Sequence, residues 1–219
     1  MNVRLINTTV IPADDVCGEA AAICTNSKKF ESALKFAIES GHTSVLEHSI
    51  FTFEIEGISR VTLAQLTRHR LASFSVQSQR YVNQGDVQVI IPKEVAKSEF
   101  GDEVDLLVKS CQRLYEMLIS SGVKEEDARY ILPQGISTKL ILSMNARELM
   151  HFFSLRTCNR AQWEIRQLAD AMLYLCKENC PVIFANAGPG CVRGHCPEKK
   201  PCGQPRMDLM KTDMEAQHA

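Results

Sequence analysis

No run of eighteen or more consecutive apolar residues occurs among the 219 residues of this chain. A membrane-spanning helix needs such a run, so the sequence predicts no membrane partner. An excess of charge of one sign is also missing, since 25 Lys and Arg residues face 26 Asp and Glu residues. A balanced chain has no general attraction for nucleic acid or lipid surfaces, so any anion-binding site has to be local.

Secretion and disulfide pairing are not indicated either. The first nine residues alternate polar and apolar side chains and lack the hydrophobic stretch of a signal peptide. The cysteine count is nine, an odd number, which favours reduced thiols in a cytoplasmic protein. Six cysteines lie in or beside apolar periodic segments and are expected to be buried: Cys17, Cys24, Cys111, Cys158, Cys176 and Cys180.

Two common nucleotide-binding signatures are absent. The chain has neither a Walker phosphate loop nor a Gly-x-Gly-x-x-Gly turn after a strand, which excludes a dinucleotide-binding Rossmann unit. It also has no Ser-His-Asp signature and no zinc-protease helix.

Hydrophobic periodicity predicts few strands and several helices. Strands are predicted at 3–11, 50–56 and 87–91. Helices are predicted at 20–24, 28–40, 59–68, 103–120, 125–132, 145–154 and 160–178. Because no strand–helix–strand rhythm is present, these elements favour an α+β fold with a small antiparallel sheet flanked by several helices. We expect a single domain over residues 1–187 and a tail over 188–219 that is rich in Cys, Gly and Pro.

Some residues mark the ends of these elements. Asp14 or Asp15 is expected to cap the first helix, and Asn145 with Glu148 forms a capping-box pattern before the helix at 145–154. Gly57 is expected to end the second strand.

The most informative stretch is residues 67–81, which hold three arginines, one histidine, three serines and no acidic residue. Guanidinium groups at this density are costly to place together unless an anion lies between them, and their planar fork suits phosphate and carboxylate. Apolar residues interleave with the polar ones, which indicates that one side of the segment is anchored in the protein body. A phosphorylated ligand is therefore predicted here, with a solvated loop as the alternative.

Three further segments carry candidate binding groups. Residues 41–48 join a predicted helix to a strand and contain two histidines, and a later segment contains Arg129. In the third, residues 144–163, Arg147 and His151 lie one helical turn apart and so reach the same face. Because apolar residues flank them, these groups are expected at the edge of the core.

The tail holds three cysteines and one histidine within twelve positions, Cys191, His195, Cys196 and Cys202. Three thiolates and one imidazole would complete a tetrahedral zinc shell. The spacing lacks a Cys-x-x-Cys pair, so a mobile tail with reduced thiols is the favoured alternative, and no metal ligand is assigned.

Arg68-His69-Arg70, followed after seven residues by Ser78, resembles the signature of the flavin-dependent thymidylate synthases. The likeness extends in family order over roughly residues 2–187. Its further blocks are Gly41-His42 through Glu47-His48, Gln65, Ser78-Gln79-Arg80-Tyr81, Ala128-Arg129 with Leu132-Pro133, Asn145-Ala146-Arg147, and Leu155-Arg156 with Ala161-Gln162-Trp163-Glu164. One departure is His151, where the family often has Asn.

The resemblance implies an enzyme that makes dTMP from dUMP, with a methylene group from methylenetetrahydrofolate and a hydride from FAD that NADPH has reduced. It also implies a homotetramer whose sites combine residues from several subunits. The flavin would supply the hydride, and the protein would supply position and charge.

By position, the resemblance assigns contacts with dUMP to Gln65, Arg68, Ser78, Gln79, Arg80, Arg129 and Arg156. It assigns contacts with FAD to Ser44, Glu47, Arg68, His69, Arg70, Asn145, Arg147 and His151. Arg156 is the implied catalytic residue, because a fixed cation against the uracil ring would favour the ionised pyrimidine without a covalent enzyme bond.

Two other functions stay open at this point. One is a non-catalytic regulator on the same scaffold that binds dUMP and releases no dTMP. The other is a zinc-stabilised nucleic-acid module led by the cysteine tail. The balanced charge and the lack of aromatic–basic interleaving outside residues 68–81 disfavour the second.

Overall fold

The computed structural model describes residues 1–210. Its strands are β1 (Asn2–Asn7), β2 (Ile50–Ser59), β3 (Ala72–Val76) and β4 (Ser137–Asn145). Its α-helices are α1 (Ala13–Thr25), α2 (Phe30–Glu39), α3 (Arg60–Leu66), α4 (Lys93–Ala96), α5 (Gly101–Ser120), α6 (Glu125–Ala128), α7 (Ala146–Arg156), α8 (Trp163–Asn179) and α9 (Pro181–Phe184). Short 3₁₀ helices cover Thr43–His48, Arg129–Ile131, Gly190–Arg193 and Met207–Met210.

The strands form one antiparallel sheet in the order β1–β2–β4–β3, so the predicted α+β class with a small antiparallel sheet is confirmed. The hydroxyl groups of Thr52 on β2 and Ser143 on β4 lie 2.9 Å apart across this pairing. On β2, Phe51, Phe53 and Ile55 are fully buried, as the alternation of the sequence predicts.

The contacts of the chain fall into two compact units. Unit 1 comprises residues 1–2, 55–68 and 75–141. Unit 2 comprises residues 3–54 and 69–74 together with the chain from 142 onward.

The core of unit 2 contains stacked phenylalanine rings. The ring of Phe184 on α9 meets Phe51 at 5.4 Å and Phe153 at 5.9 Å between centroids, both edge to face. Asp14 holds α9 in place, because its carboxylate accepts hydrogen bonds from the backbone N–H groups of Val182 and Ile183, each at 3.0 Å. The predicted cap of α1 by Asp14 or Asp15 is therefore wrong, since α1 starts after Pro12 without a side-chain cap.

In unit 1, α5 is anchored by one fully buried residue, Tyr115, whose hydroxyl accepts a hydrogen bond from the backbone N–H of Gln84. The side-chain amide of Gln112 donates to the carbonyls of Gly85 and Val87 at 3.1 and 3.0 Å. These bonds occupy the backbone next to the predicted strand at 87–91, where the structure has only an isolated antiparallel bridge between Val89 and Ile136. That strand prediction is wrong.

Other boundaries also differ from prediction. β1 ends at Asn7, and the side chain of Val10 is fully exposed. β2 continues through Gly57, which takes a positive φ of 72°, to Ser59. Cys17, Cys176 and Cys180 are buried as expected. Cys24 is exposed, and Cys111 and Cys158 are only half-buried, so the predicted burial of these three is wrong.

The long helices are largely where periodicity places them. α2, α5 and α8 match their predicted segments to within a few residues. Strands β3 and β4 were not predicted at all. Within the described residues, no helix is long and apolar enough to cross a membrane.

Candidate active site

The centre of the candidate site in unit 2 is His69, which follows α3 and has a nearly fully buried imidazole. Its Nδ1 lies 3.2 Å from Oε1 of Glu148. On the opposite side of the ring, Nε of Arg156 donates to Nε2 at 3.1 Å. The structure thus joins the predicted FAD residue His69 to the predicted catalytic residue Arg156 across 87 positions of sequence.

The geometry of α7 explains how one helix reaches both ring nitrogens. Glu148, Phe152 and Arg156 are spaced four residues apart and therefore share one face of the helix. Phe152 meets the His69 ring edge to face at 4.9 Å between centroids, and the two polar residues lie one turn to either side of it. The start of the helix is set by Asn145, whose side chain accepts from the backbone N–H of Glu148 at 2.9 Å.

Burial and hydrogen bonds together set the protonation state of His69. Burial lowers the pKa of His69, the hydrogen bond with Glu148 raises it, and the nearby Arg156 and His151 lower it. The net direction is downward, so the ring is neutral at pH 7. Because a guanidinium only donates, Nε2 carries no proton, and the proton of the neutral ring sits on Nδ1 and is donated to Glu148.

A second group in unit 2 lies at the start of α7. Arg147 forms an ion pair with Glu47 of the 3₁₀ helix Thr43–His48, and both side chains are about half exposed. His151, exposed on α7, lies with its ring 6.0 Å from that of His69. One helix, α7, therefore links four predicted FAD residues. Arg147 and His151 lie on it, and Glu47 and His69 contact it.

Unit 1 contains a separate cluster around Glu126 of α6. The carboxylate of Glu126 accepts from Nε of Arg80 at 2.9 Å, and its backbone carbonyl accepts from Nε of Arg129 at 3.0 Å. Ser78 accepts from the backbone N–H of Arg80 at 3.2 Å. Two predicted dUMP residues, Arg80 and Arg129, thus meet at Glu126. The half-exposed Arg80 guanidinium is open to an anion that competes with Glu126.

The other predicted residues occupy defined positions in the chain. Gln65 lies half-buried on α3, Gln79 lies half-buried in a turn after β3, and Arg68, Arg70 and Ser44 are exposed. Arg68 and Arg70 flank His69 in the chain.

Sequence reasoning missed two residues that organise these clusters, Glu126 and Glu148. Glu148 was interpreted only as part of a helix cap. A signal was available, since it is the only acidic residue between Met144 and Arg156 and has an apolar residue directly after it. The bond of Glu126 to Arg80 joins residues 46 positions apart, for which no local pattern exists.

A cavity of about 420 Å³ lies in unit 2 between the end of α7 and the tail. Arg156 lines it on one side, and the cysteines of the tail, Cys191, Cys196 and Cys202, line it on the other. Among residues 1–210, no group of three or more His, Cys, Asp and Glu side chains is arranged to hold a metal ion. The last nine residues of the predicted tail, 211–219, lie outside the described chain.

Comparison with known proteins gives consistent matches. The family model described as thymidylate synthase complementing protein matches residues 4–182. The flavin-dependent thymidylate synthase of Geobacter sulfurreducens is 54% identical over 161 residues, which cover 72% of this chain and 69% of that protein. The enzymes of the same name from Pyrococcus horikoshii and Clostridium tetani are 43% and 39% identical, and each alignment covers at least 90% of both chains.

Proposed function

The chain belongs to the flavin-dependent thymidylate synthase family, and we propose that it converts dUMP to dTMP with carbon from methylenetetrahydrofolate. The proposed reductant is FAD that NADPH has reduced. The observation that carries the proposal is the contact between His69 and Arg156, which brings together a residue assigned to the flavin and one assigned to the uracil.

The donor set of unit 2 fits a flavin dinucleotide. FAD has an anionic diphosphate and a flat aromatic ring system. The exposed guanidinium groups of Arg70 and Arg147, the latter in the first turn of α7, suit the diphosphate. The adjacent rings of His69 and His151 suit the aromatic part.

The proposed FAD residues are Ser44, Glu47, Arg68, His69, Arg70, Asn145, Arg147 and His151. When bound, FAD supplies the hydride. The protein residues bind and orient the reactants.

Seven residues are proposed to bind dUMP. Arg80 and Arg129, gathered at Glu126, would take its phosphate, because guanidinium and phosphate form charge-assisted bonds. Arg156 would lie against the uracil ring and stabilise the negative charge that develops there, which makes carbon 5 nucleophilic without a covalent enzyme bond. The remaining proposed dUMP residues are Gln65, Arg68, Ser78 and Gln79.

The proposed assembly is a cytoplasmic homotetramer in which several subunits complete each site. The apolar face of α5 supports self-association. Leu106, Leu107, Leu114 and Met117 are all largely exposed. They fall within an arc of about 100° on an α-helix, so they form one apolar strip of the kind that packs against another protein surface.

The test uses the purified protein. It should take up FAD and show a flavin absorbance band, and its oxidation of NADPH should depend on dUMP or be stimulated by it. It should release dTMP only when dUMP and methylenetetrahydrofolate are both present. Protein that binds dUMP and FAD but yields no dTMP would instead be the non-catalytic regulator. Failure to take up FAD would contradict the flavin-dependent enzyme.

A further inference from the structure

We propose that Glu148 is a positioning residue that holds His69 as the Nδ1–H tautomer, so that Nε2 stays free to accept the Nε–H of Arg156 and to orient that guanidinium. The link to turnover rests on the proposed function of Arg156. The assignment of the tautomer does not rest on that function, and it can be tested whatever reaction the protein catalyses.

The hydrogen bond between His69 and Glu148 is shielded from water. The side chains of His69 and Glu148 are only 4% and 8% exposed. In such surroundings a hydrogen bond to a carboxylate is strong, and an unpaired ring nitrogen is costly. The bond to Glu148 therefore decides which nitrogen carries the proton.

The second bond depends on the first. Arg156 approaches His69 with a donor, Nε–H, at 3.1 Å from Nε2. A proton on Nε2 would set two donors against each other, and the contact would be lost. Glu148 thus acts on Arg156 through the ring, although the two residues lie two helical turns apart.

The charged and titratable groups acting on the imidazole are Glu148, Arg156 and His151, all carried by α7. Arg156 and His151 both disfavour a second proton on the ring, and Glu148 favours it. The arrangement is a carboxylate, a neutral imidazole and a guanidinium in series, with a lone proton fixed on the side of the carboxylate.

Two substitutions test the hydrogen-bond acceptor of Glu148 independently of the size of its side chain. Glu148→Met keeps the length of the side chain and removes the acceptor, so His69 loses the group that selects its tautomer. Glu148→Gln retains a carbonyl oxygen that accepts from Nδ1–H. Since this oxygen keeps the Nδ1–H paired, we expect the wild-type tautomer in this variant.

The direct measurement is a two-bond ¹H–¹⁵N spectrum of ¹⁵N-histidine-labelled protein at pH 7.5, with the His69 signals identified by their loss in His69→Gln. We expect the Nδ1–H pattern in the wild type and in Glu148→Gln, and its loss in Glu148→Met. An Nε2–H or doubly protonated His69 in the wild type would overturn the proposal, and this result does not require Glu148→Met to fold.

Kinetics provide the second readout. Glu148→Met should lower kcat at least ~10-fold, as removal of groups that orient a site residue commonly does, while KM for dUMP changes less than about 3-fold. Glu148→Gln should recover most of kcat. Equal loss in both variants, or a change confined to KM, would contradict a positioning role.

Asp14→Ala serves as the stability control. It removes a carboxylate of unit 2 that holds two backbone N–H groups of α9, so it should lower the melting temperature while leaving the His69 tautomer and kcat unchanged. If no dTMP is made by the wild type, the proposed function fails, but the tautomer result still decides the role of Glu148.

Discussion

The guanidinium of Arg206 donates to the backbone carbonyl of Thr157 at 2.7 Å, one residue beyond the proposed catalytic Arg156. The same guanidinium pairs with Asp170 of α8 at 3.1 Å and with Asp208 at 2.8 Å. Its side chain is only 12% exposed. The tail is thus fastened to the end of the helix that carries Glu148 and Arg156.

We predict that Arg206→Met destabilises the protein by about 2–3 kcal/mol, because it leaves the Asp170 carboxylate without its partner in a site where burial raises the pKa of Asp170. Adding Asp170→Asn should recover part of this loss by removing the unpaired charge. Urea denaturation measures both. Arg193→Met is the matched control, since Arg193 donates to the nearby backbone carbonyls of Asn186 and Gly188. An equal effect there would refute the special role of Arg206.

The buried imidazole of His69 predicts a loss of stability in acid. Burial lowers the pKa of His69 in the folded state, so below about pH 6.5 the unfolded chain binds a proton that the folded chain resists. Stability is therefore full above that pH and declines as the pH falls through the folded pKa. Between pH 7.5 and 5.5 the melting temperature of the wild type should fall more than that of His69→Gln, and equal falls would count against a neutral buried ring.

Arg156→Ala should leave FAD bound and reduce turnover by a factor equivalent to about 3–4 kcal/mol, because the cation beside the uracil is removed. Flavin absorbance and the rate of dTMP formation measure the two effects. Arg160→Ala is the comparison, as Arg160 lies four residues further along the chain, beyond the end of α7, and contacts the tail at Glu198 and Lys200. Activity of Arg156→Ala above a tenth of normal would be inconsistent with the assigned role.

Arg80→Ala should weaken dUMP binding by about 1.5–3 kcal/mol through loss of a charge-assisted bond to phosphate. Glu126→Gln retains the guanidinium and removes the carboxylate that competes for it, so binding should be unchanged or tighter. Isothermal titration with dUMP compares the variants. An unchanged dissociation constant for Arg80→Ala would exclude a phosphate contact.

Leu107→Glu together with Leu114→Glu should reduce the mass of the assembly in solution, because charge in the apolar strip of α5 opposes its burial against another subunit. Light scattering after size-exclusion chromatography measures the mass. Lys109→Glu, a charge change on an exposed position of the same helix, should leave it unaltered.

Local patterns predicted much of the fold. α2, α5 and α8 follow the 3.6-residue period, and the cap of α7 at Asn145 is confirmed by its bond to Glu148. β4 was missed, although Thr138, Leu140, Leu142 and Met144 alternate and are buried. β3 is short, and its sequence was interpreted only as a basic segment.

The amino-acid sequence alone determined the α+β class, the longer helices and the resemblance to the family, because these depend on periodicity and on the order of residues along the chain. The predicted contacts with dUMP and FAD stay predictions. Only the tertiary structure decided that Asp14 caps α9, that Glu126 gathers Arg80 and Arg129, and that Glu148 and Arg156 hold the two nitrogens of His69. Apart from Glu126 and Arg129, which are three residues apart, these partners are tens of residues or more apart in the sequence. A hydrogen bond depends on distances of a few ångströms that folding alone sets.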